Sequence, residues 1–361
     1  MEDYIDARIK RARHLLETHG VDAVVITSTA NFFFFTETWI NPHERLLSFV
    51  IRKTGDPVIL APKMHENDMV GSSVETLLWN DGENAMALLA KCIPEKGVVS
   101  IDSLWPSQNL ISLMRHRPQL TFIDSTRILG ELRLRKDQHE LALLRKAGEV
   151  ADGVMQQIIA KIVPGMREID VVEELKNLWT KEGVDEVSFN PIIGAGANGA
   201  QPHHQSGQTT IKSGDMVVID MGGVINHYCS DMTRTIAIGE VTPQMKDVYE
   251  VVHRAHEAGA KAVKPGVLLG EIDHIARTVI KEAGYGSYFI HRTGHGLGIE
   301  VHEEPYVYSG NQQPIETGMV FSIEPGIYLP GQFGVRIEDI VIATETNCES
   351  FNNFTKELLV V

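Results

Sequence analysis

Three cysteines in 361 residues, Cys92, Cys229 and Cys348, are widely spaced and form no paired framework. That excludes a disulfide-stapled scaffold and a thiolate metal motif, and it fits a reducing compartment. No apolar run approaches the roughly 20 residues that span a bilayer, and the opening Met1-Glu2-Asp3-Tyr4 lacks the basic stretch and apolar core of a secretory leader. Basic residues are the scarcer charge, 33 Lys and Arg against 48 Asp and Glu. The resulting net charge of −15 disfavours nucleic acid and anionic membrane as partners, since both reward clustered cations. A cytoplasmic protein is expected.

The length exceeds that at which a single core usually divides, so two domains are expected. Up to about residue 127 short strands alternate with helices, the strands at Ala23 to Ile26, Ser48 to Ile51, Pro57 to Leu60 and Val98 to Ile101, which describes a compact α/β unit. Ile5, Ile9, Ala12, Leu15 and Leu16 recur at helical spacing, and the four aromatics Phe32 to Phe35 read as a fully buried strand. The charged stretch Arg133-Leu134-Arg135-Lys136-Asp137 precedes a long helical pattern from Leu141 to Ile158. The boundary falls there, giving domains at 1–130 and 137–361. Beyond it the chain repeats itself with a shift near a hundred residues. Ile162-Val163-Pro164-Gly165 leads to Glu168-Ile169-Asp170 and a helix ending near Gly183, and Val263-Lys264-Pro265-Gly266 leads to Glu271-Ile272-Asp273 and a helix ending near Gly284. The C-terminal domain is therefore expected to be a pseudo-twofold α+β unit.

Each copy is followed by an acid-bearing frame. Gly214 and Gly318 each open an apolar run that ends six residues later in an acid, Asp220 and Glu324. A turn-prone segment follows each, at Gly223 to Asn226 and at Pro330-Gly331, and then a second acid, Asp231 and Glu338. That is the pattern of two hairpins, each setting two carboxylates side by side, since opposed residues of an antiparallel pair have Cβ atoms roughly 4.5–5.5 Å apart. Single acids at strand ends are usually solvated, but these follow runs apolar enough to be buried, where unpaired charge is costly. Four carboxylates that close raise one another's pKa unless a cation compensates them. Oxygen ligands suit hard ions, and an added imidazole moves the preference toward Mn, Co, Fe or Zn. His295, in Thr293-Gly294-His295-Gly296-Leu297-Gly298, supplies one, its glycines letting backbone approach a crowded site. Carboxylates able to bridge suggest two ions about 3.5–4 Å apart, an arrangement suited to hydrolysis.

Other histidines cluster around this frame. His203 and His204 follow the glycine-rich loop from Gly194 to Gly199, just before the first hairpin, and functional groups often sit on such loops. His291 precedes His295 by four residues, although the glycines argue for a loop, and His302 lies seven beyond it on an emerging strand. Arg336, two before Glu338, faces the same side as that acid, to lock an acid ligand or to pair with a substrate carboxylate, the former being favoured.

In order and local context, Asp220, Asp231, His295, Glu324 and Glu338 resemble the ligand set of the pita-bread metallopeptidases, and most closely Xaa-Pro dipeptidases (prolidases) and aminopeptidase P. The resemblance covers the whole chain. It implies an α+β fold, with a pita-bread catalytic domain preceded by a smaller creatinase-like α/β domain. It implies two divalent ions, manganese first with cobalt, zinc or iron as alternatives. Residues matching Asp231 and Glu338 bridge the ions, the match to Asp220 chelates one, and those to His295 and Glu324 hold the other. Hydroxide attack on the scissile carbonyl is implied, with Glu324 as proton shuttle, His203 and His302 contacting substrate or the tetrahedral intermediate, and His291 and Arg336 near the substrate. The implied substrates are proline-containing dipeptides or short peptides, and the implied assembly is a homodimer. Creatinase lacks these ligands. Tyr306 departs from the family, because some prolidases carry there an arginine for the prolyl carboxylate. The segment Phe32 to Trp39 departs as well, and His204 has no assigned role. Alternatives are aminopeptidase P acting on longer peptides, methionine aminopeptidase further behind, and a non-catalytic peptide-binding protein with structural metals.

Overall fold

The computed structural model describes residues 4–184 and 186–361. The chain divides into two compact units, Met1–Arg133 and Leu134–Val361. Among the described residues no helix is long and apolar enough to cross a membrane.

The first unit is a six-stranded mixed sheet in the order β4-β3-β2-β1-β5-β6, formed by β1 (Ala23–Ile26), β2 (Ser48–Arg52), β3 (Val58–Pro62), β4 (Glu75–Trp79), β5 (Gly97–Ile101) and β6 (Leu120–Asp124). Helices α1 (Tyr4–Thr18), α2 (Thr29–Thr36), α3 (Ala85–Cys92) and α4 (Ser107–His116) connect and cover it. The expectation of a strand at Phe32 to Phe35 is corrected: all four rings lie on α2 and all are buried. The Ser28 hydroxyl caps the helix by accepting from the Asn31 N–H, and Glu37 closes it in the left-handed region at φ 54°. A helix apolar on every side is stable only when buried on every side. Phe35 stacks on Phe49 at 5.6 Å, and the Arg8 guanidinium lies 4.2 Å from the Phe34 ring. A short apolar run has no period that separates these two outcomes.

A short helix α5 (Glu131–Leu134) crosses the division between the units. The charged residues after it are engaged in the second unit: Lys136 pairs with Glu303 at 2.5 Å and Arg135 with Glu316 at 2.6 Å. The Asp137 side chain accepts from Glu140 N–H while Glu140 reaches back to Asp137 N–H, a capping box that starts α6 (Gln138–Ile159).

The repeat is borne out in the helices α7 (Glu168–Lys181), α8 (Pro243–Ala262) and α9 (Leu269–Glu282), but in a different register from the matched triplets. Gly165 and Gly266 have φ of 99° and 89°, and Gly183 and Gly284 have 76° and 89°, a constant offset of 101 (165 to 266, 183 to 284). At the same offset Arg167 and Leu268 are the N-cap residues, and Asp170 and Glu271 fold back onto their N–H groups. Asp170 therefore corresponds to Glu271. The Glu-Ile-Asp match, at an offset of 103, is coincidental; cap geometry sets the register instead.

Each copy feeds an antiparallel pair. In the first, β8 (Met216–Met221) lies between β7 (Ile192–Ala195) and β11 (Met232–Ala237), with β9 (Val224–Ile225) and β10 (Tyr228–Cys229) extending the hairpin to a tip at Asn226 and His227. In the second, β14 (Val320–Ile323) pairs with β17 (Asp339–Ala343) in a five-stranded sheet with β12 (Gly294–Gly296), β13 (Glu303–Val307) and β18 (Cys348–Ser350). Between them β15 (Gly326–Leu329) and β16 (Phe333–Arg336) form a ribbon that turns at Gly331. The two sheets join where Glu338 N–H donates to Thr233 O at 3.1 Å.

Candidate functional site

The hairpins deliver the four acids to one place, with one adjustment to the expected pairing. Met221 pairs with Met232 and Asp220 with Thr233, so Asp220 and Asp231 are diagonal neighbours on one face rather than directly opposed. On the other side the ladder ends at Ile323–Asp339, and Glu324 and Glu338 follow immediately. His295 comes from β12, between two glycines that have no room for a side chain: a Cβ on Gly294 would lie 1.9 Å from Ser322 O and one on Gly296 2.3 Å from Glu304 O. The glycines let β12 lie flat against its neighbours while its single ring points inward.

Asp220, Asp231, His295, Glu324 and Glu338 all line a cavity of about 720 Å³, together with His203, His291, His302 and Arg336. Ligand atoms of Asp231, His295 and Glu338 converge to within 4.8 Å of one another. His295 Nε2 is 3.6 Å from Asp231 Oδ2 and 3.4 Å from Glu324 Oε1. Its Nδ1 faces Gly296 O at 3.1 Å, which assigns the proton to Nδ1 and leaves a lone pair on Nε2. Burial, reinforced by His302, pushes the His295 pKa down to about 3. A neutral imidazole therefore directs a lone pair at two carboxylates. Among the described residues, Asp220 Oδ1, Asp231 Oδ1 and Glu338 Oε1 are buried without a hydrogen-bond partner. Burial and the neighbouring acids Glu338 and Asp220 hold Asp231 well above the ordinary carboxylate range. Burial, with Glu324 and Asp220, does the same to Glu338. Burial raises Glu324 to about 7. Acceptors that converge without donors suit a cation, and oxygens with one imidazole nitrogen suit a divalent ion of intermediate hardness.

Hydrogen bonds orient the surrounding groups. Arg336 is buried and donates to Asp220 Oδ2 at 2.5 Å, Tyr328 OH at 2.9 Å and Thr233 Oγ1 at 3.2 Å. Thr233 Oγ1 in turn donates to Glu338 Oε2 at 2.7 Å, and Ser322 Oγ to Glu324 Oε1 at 3.2 Å. His291 Nδ1 lies 2.7 Å from Arg292 O and its Nε2 2.7 Å from Tyr328 OH. Nδ1 therefore holds the His291 proton, and Tyr328 donates to Nε2 while accepting from Arg336. Burial supports that direction, raising Tyr328 to about 12 and lowering His291 to about 4. Tyr328 was absent from the expected set. The available signal was strand alternation, which sets Tyr328, paired with Gly334, diagonal to Arg336 on one face of the ribbon. His302 meets His295 edge to face at 4.1 Å. His203 opens to the cavity. Arg292 also lines it, with its guanidinium 4.3 Å from the Tyr306 ring.

A fold with a pseudo-twofold repeat that closes an acid-rich, imidazole-bearing pocket defines a metallopeptidase. Residues 142–345 match metallopeptidase family M24, residues 8–135 match the creatinase/prolidase N-terminal domain, and the chain belongs to that family. A putative dipeptidase of Bacillus subtilis is 36% identical over 363 residues, covering 98% of this chain and 99% of its own. Among solved structures, a dipeptidase from Pyrococcus horikoshii OT3 is 37% identical with a TM-score of 0.94, covering 98% of this chain and all of its own. A prolidase from Thermococcus sibiricus is 35% identical with a TM-score of 0.94 over the full length of both chains.

Proposed function

We propose that the chain is an Xaa-Pro dipeptidase that hydrolyses the bond before proline with two divalent ions, manganese first. The observation that carries this is the convergence of partnerless carboxylate oxygens and a neutral imidazole lone pair in one cavity. Asp220, Asp231, His295, Glu324 and Glu338 would hold the ions. Bound there, the ions would supply Lewis acidity toward the scissile carbonyl and toward water. The protein groups do the rest. Glu324 would take a proton and return it to the leaving nitrogen. His203 and His302 meet the peptide, and Tyr328 fixes the tautomer of His291. Arg336 orients Asp220 and also lines the cavity. Phe189, Pro191, Ile192 and Val301 line the cavity and suit a prolyl ring. Arg292, held over Tyr306, supplies a cation for the substrate carboxylate where some prolidases carry an arginine in place of Tyr306. Cys92, Cys229 and Cys348 form no disulfide among the described residues, in accord with a reducing cytoplasm, and a homodimer is the expected assembly.

The deciding experiment is amino-acid release from Met-Pro and from Met-Pro-Ala by protein stripped and reloaded with manganese. Cleavage of the dipeptide alone is the expected result. Turnover of the tripeptide would make this an aminopeptidase P, and cleavage of neither would end the claim of proline specificity.

A further inference from the structure

His204 lies beside the catalytic set and belongs to none of its roles, yet its ring has a defined partner. His204 Nε2 is 2.8 Å from Glu168 Oε2, and Glu168, the first residue of α7, is completely buried. The same carboxylate accepts from Ala195 N–H at 3.0 Å, Asn198 Nδ2 at 2.9 Å and Gly207 N–H at 3.1 Å. Each oxygen thus has two donors, and every donor belongs to the segment 195–207. A buried carboxylate satisfied in this way is a rigid anchor. The ends of the segment are held elsewhere, Ala195 by pairing with Val217 and Ser206 by its hydroxyl on Ile193 N–H, and between them the carboxylate holds the chain at His204.

His203 contrasts with its neighbour. No side-chain hydrogen bond holds it among the described residues, it is exposed, and it opens to the cavity. It lines the same cavity as His291 and His302, which puts it among the groups that meet the peptide. Its position is therefore set by backbone alone. On one side the Pro202 carbonyl accepts from Arg336 Nη1 at 3.5 Å, and on the other His204 is bound through both its ring and its N–H, the latter to Gln201 O at 3.1 Å.

We infer that Glu168 and His204 form a clamp whose purpose is to aim His203 at the substrate. Both are positioning residues that act through His203, and the inference rests on the reading of His203 as a substrate contact. The test is a double-mutant cycle on the full, manganese-loaded chain with Met-Pro as substrate. His204→Ala is expected to lower kcat on the order of 10- to 100-fold, the range for lost outer-shell support and for a misplaced group, with KM little changed. In the His203→Ala background the same substitution should cost nothing further, since groups acting through one residue are not additive. His204→Gln, whose amide can still donate to Glu168, should recover most of the turnover. Multiplying losses, or a fully active His204→Ala, would overturn the clamp. A second readout stands apart from activity: amide exchange across 201–207 and the His203 ring resonances should change in His204→Ala. If the parent chain cleaves no Xaa-Pro peptide, the functional reading fails. Exchange and ring resonances left unchanged would then refute the clamp by themselves.

Discussion

Glu338 and Asp339 are consecutive, are buried to nearly the same degree at 2% and 1% exposure, and face opposite sides of one strand. Behind the strand, Asp339 meets Arg234 Nη2 at 2.7 Å and Lys356 Nζ at 2.7 Å. Arg234 spends its remaining donors on the carbonyls of Thr233, Glu338, Phe354 and Thr355. Burial pushes Asp339 up, but Arg234 and Lys356 overcome it and hold the carboxyl below its ordinary range. In front, Glu338 has one bonded oxygen and one orphan, and is pushed up by burial and by Glu324 and Asp220. Burial is the same on both faces; compensation is not. The same contrast separates Asp102 in the first unit, whose Oδ2 accepts from Thr27, Ser28 and Asn31, from Asp231, whose Oδ1 accepts nothing. Buried acids that are matched hold a fold together, and buried acids left unmatched hold something else.

The contrast breaks most sharply under substitution of the two neighbours. Glu338→Gln should cut turnover on the order of 10³-fold, at the upper end for loss of one group aimed at the reaction, while the chelated protein melts no lower than the parent; a lower Tm would assign Glu338 to the fold. Asp339→Asn should cost about 4 kcal/mol in urea unfolding, the range for a buried pair that loses one partner. A loss below about 1 kcal/mol would remove the distinction between the faces. The smallest effect sharpens the rear network by pH. His256 is 2% exposed, lies 3.6 Å from Asp339, and is pushed down to about 4 by burial, so it is neutral at pH 7. Unfolded, it binds a proton below its ordinary 6.5, so stability is complete above that pH and falls as pH drops toward 4. The loss should reach about 3 kcal/mol. His256→Leu should flatten that part of the profile in chemical unfolding, and an unchanged acid slope would remove His256 as its source.

What the sequence disclosed follows from the distance at which each feature is set. Asp220 and Glu324 are legible because a local run of apolar residues carries each acid into the interior, and His295 because its glycines are adjacent to it. The Phe32 to Phe35 helix was not legible, since its decision rests on the Ser28 cap and on Phe49 and Arg8 packed from elsewhere. Glu168 looked like part of a repeat motif, and its four partners lie 27 to 39 residues away. Tyr328 takes its role from His291, 37 residues away, and the rear network depends on pairings across more than a hundred residues, such as Arg234 to Asp339, which periodicity cannot carry.

The seam at Thr233 and Glu338 joins two copies of one architectural plan, and the pocket belongs to neither. One copy brings aspartates and an open histidine; the other brings glutamates and a buried imidazole. A chain of half this length would have to enclose such a pocket by pairing with itself, and both walls would then be alike. Tethered in a single chain, the halves can differ, and a peptide differs along its own length, with an amine at one end and a carboxylate at the other. A scaffold with near-twofold symmetry thus presents a directional surface to a directional molecule, and the departures from symmetry allow it to tell which way a substrate points.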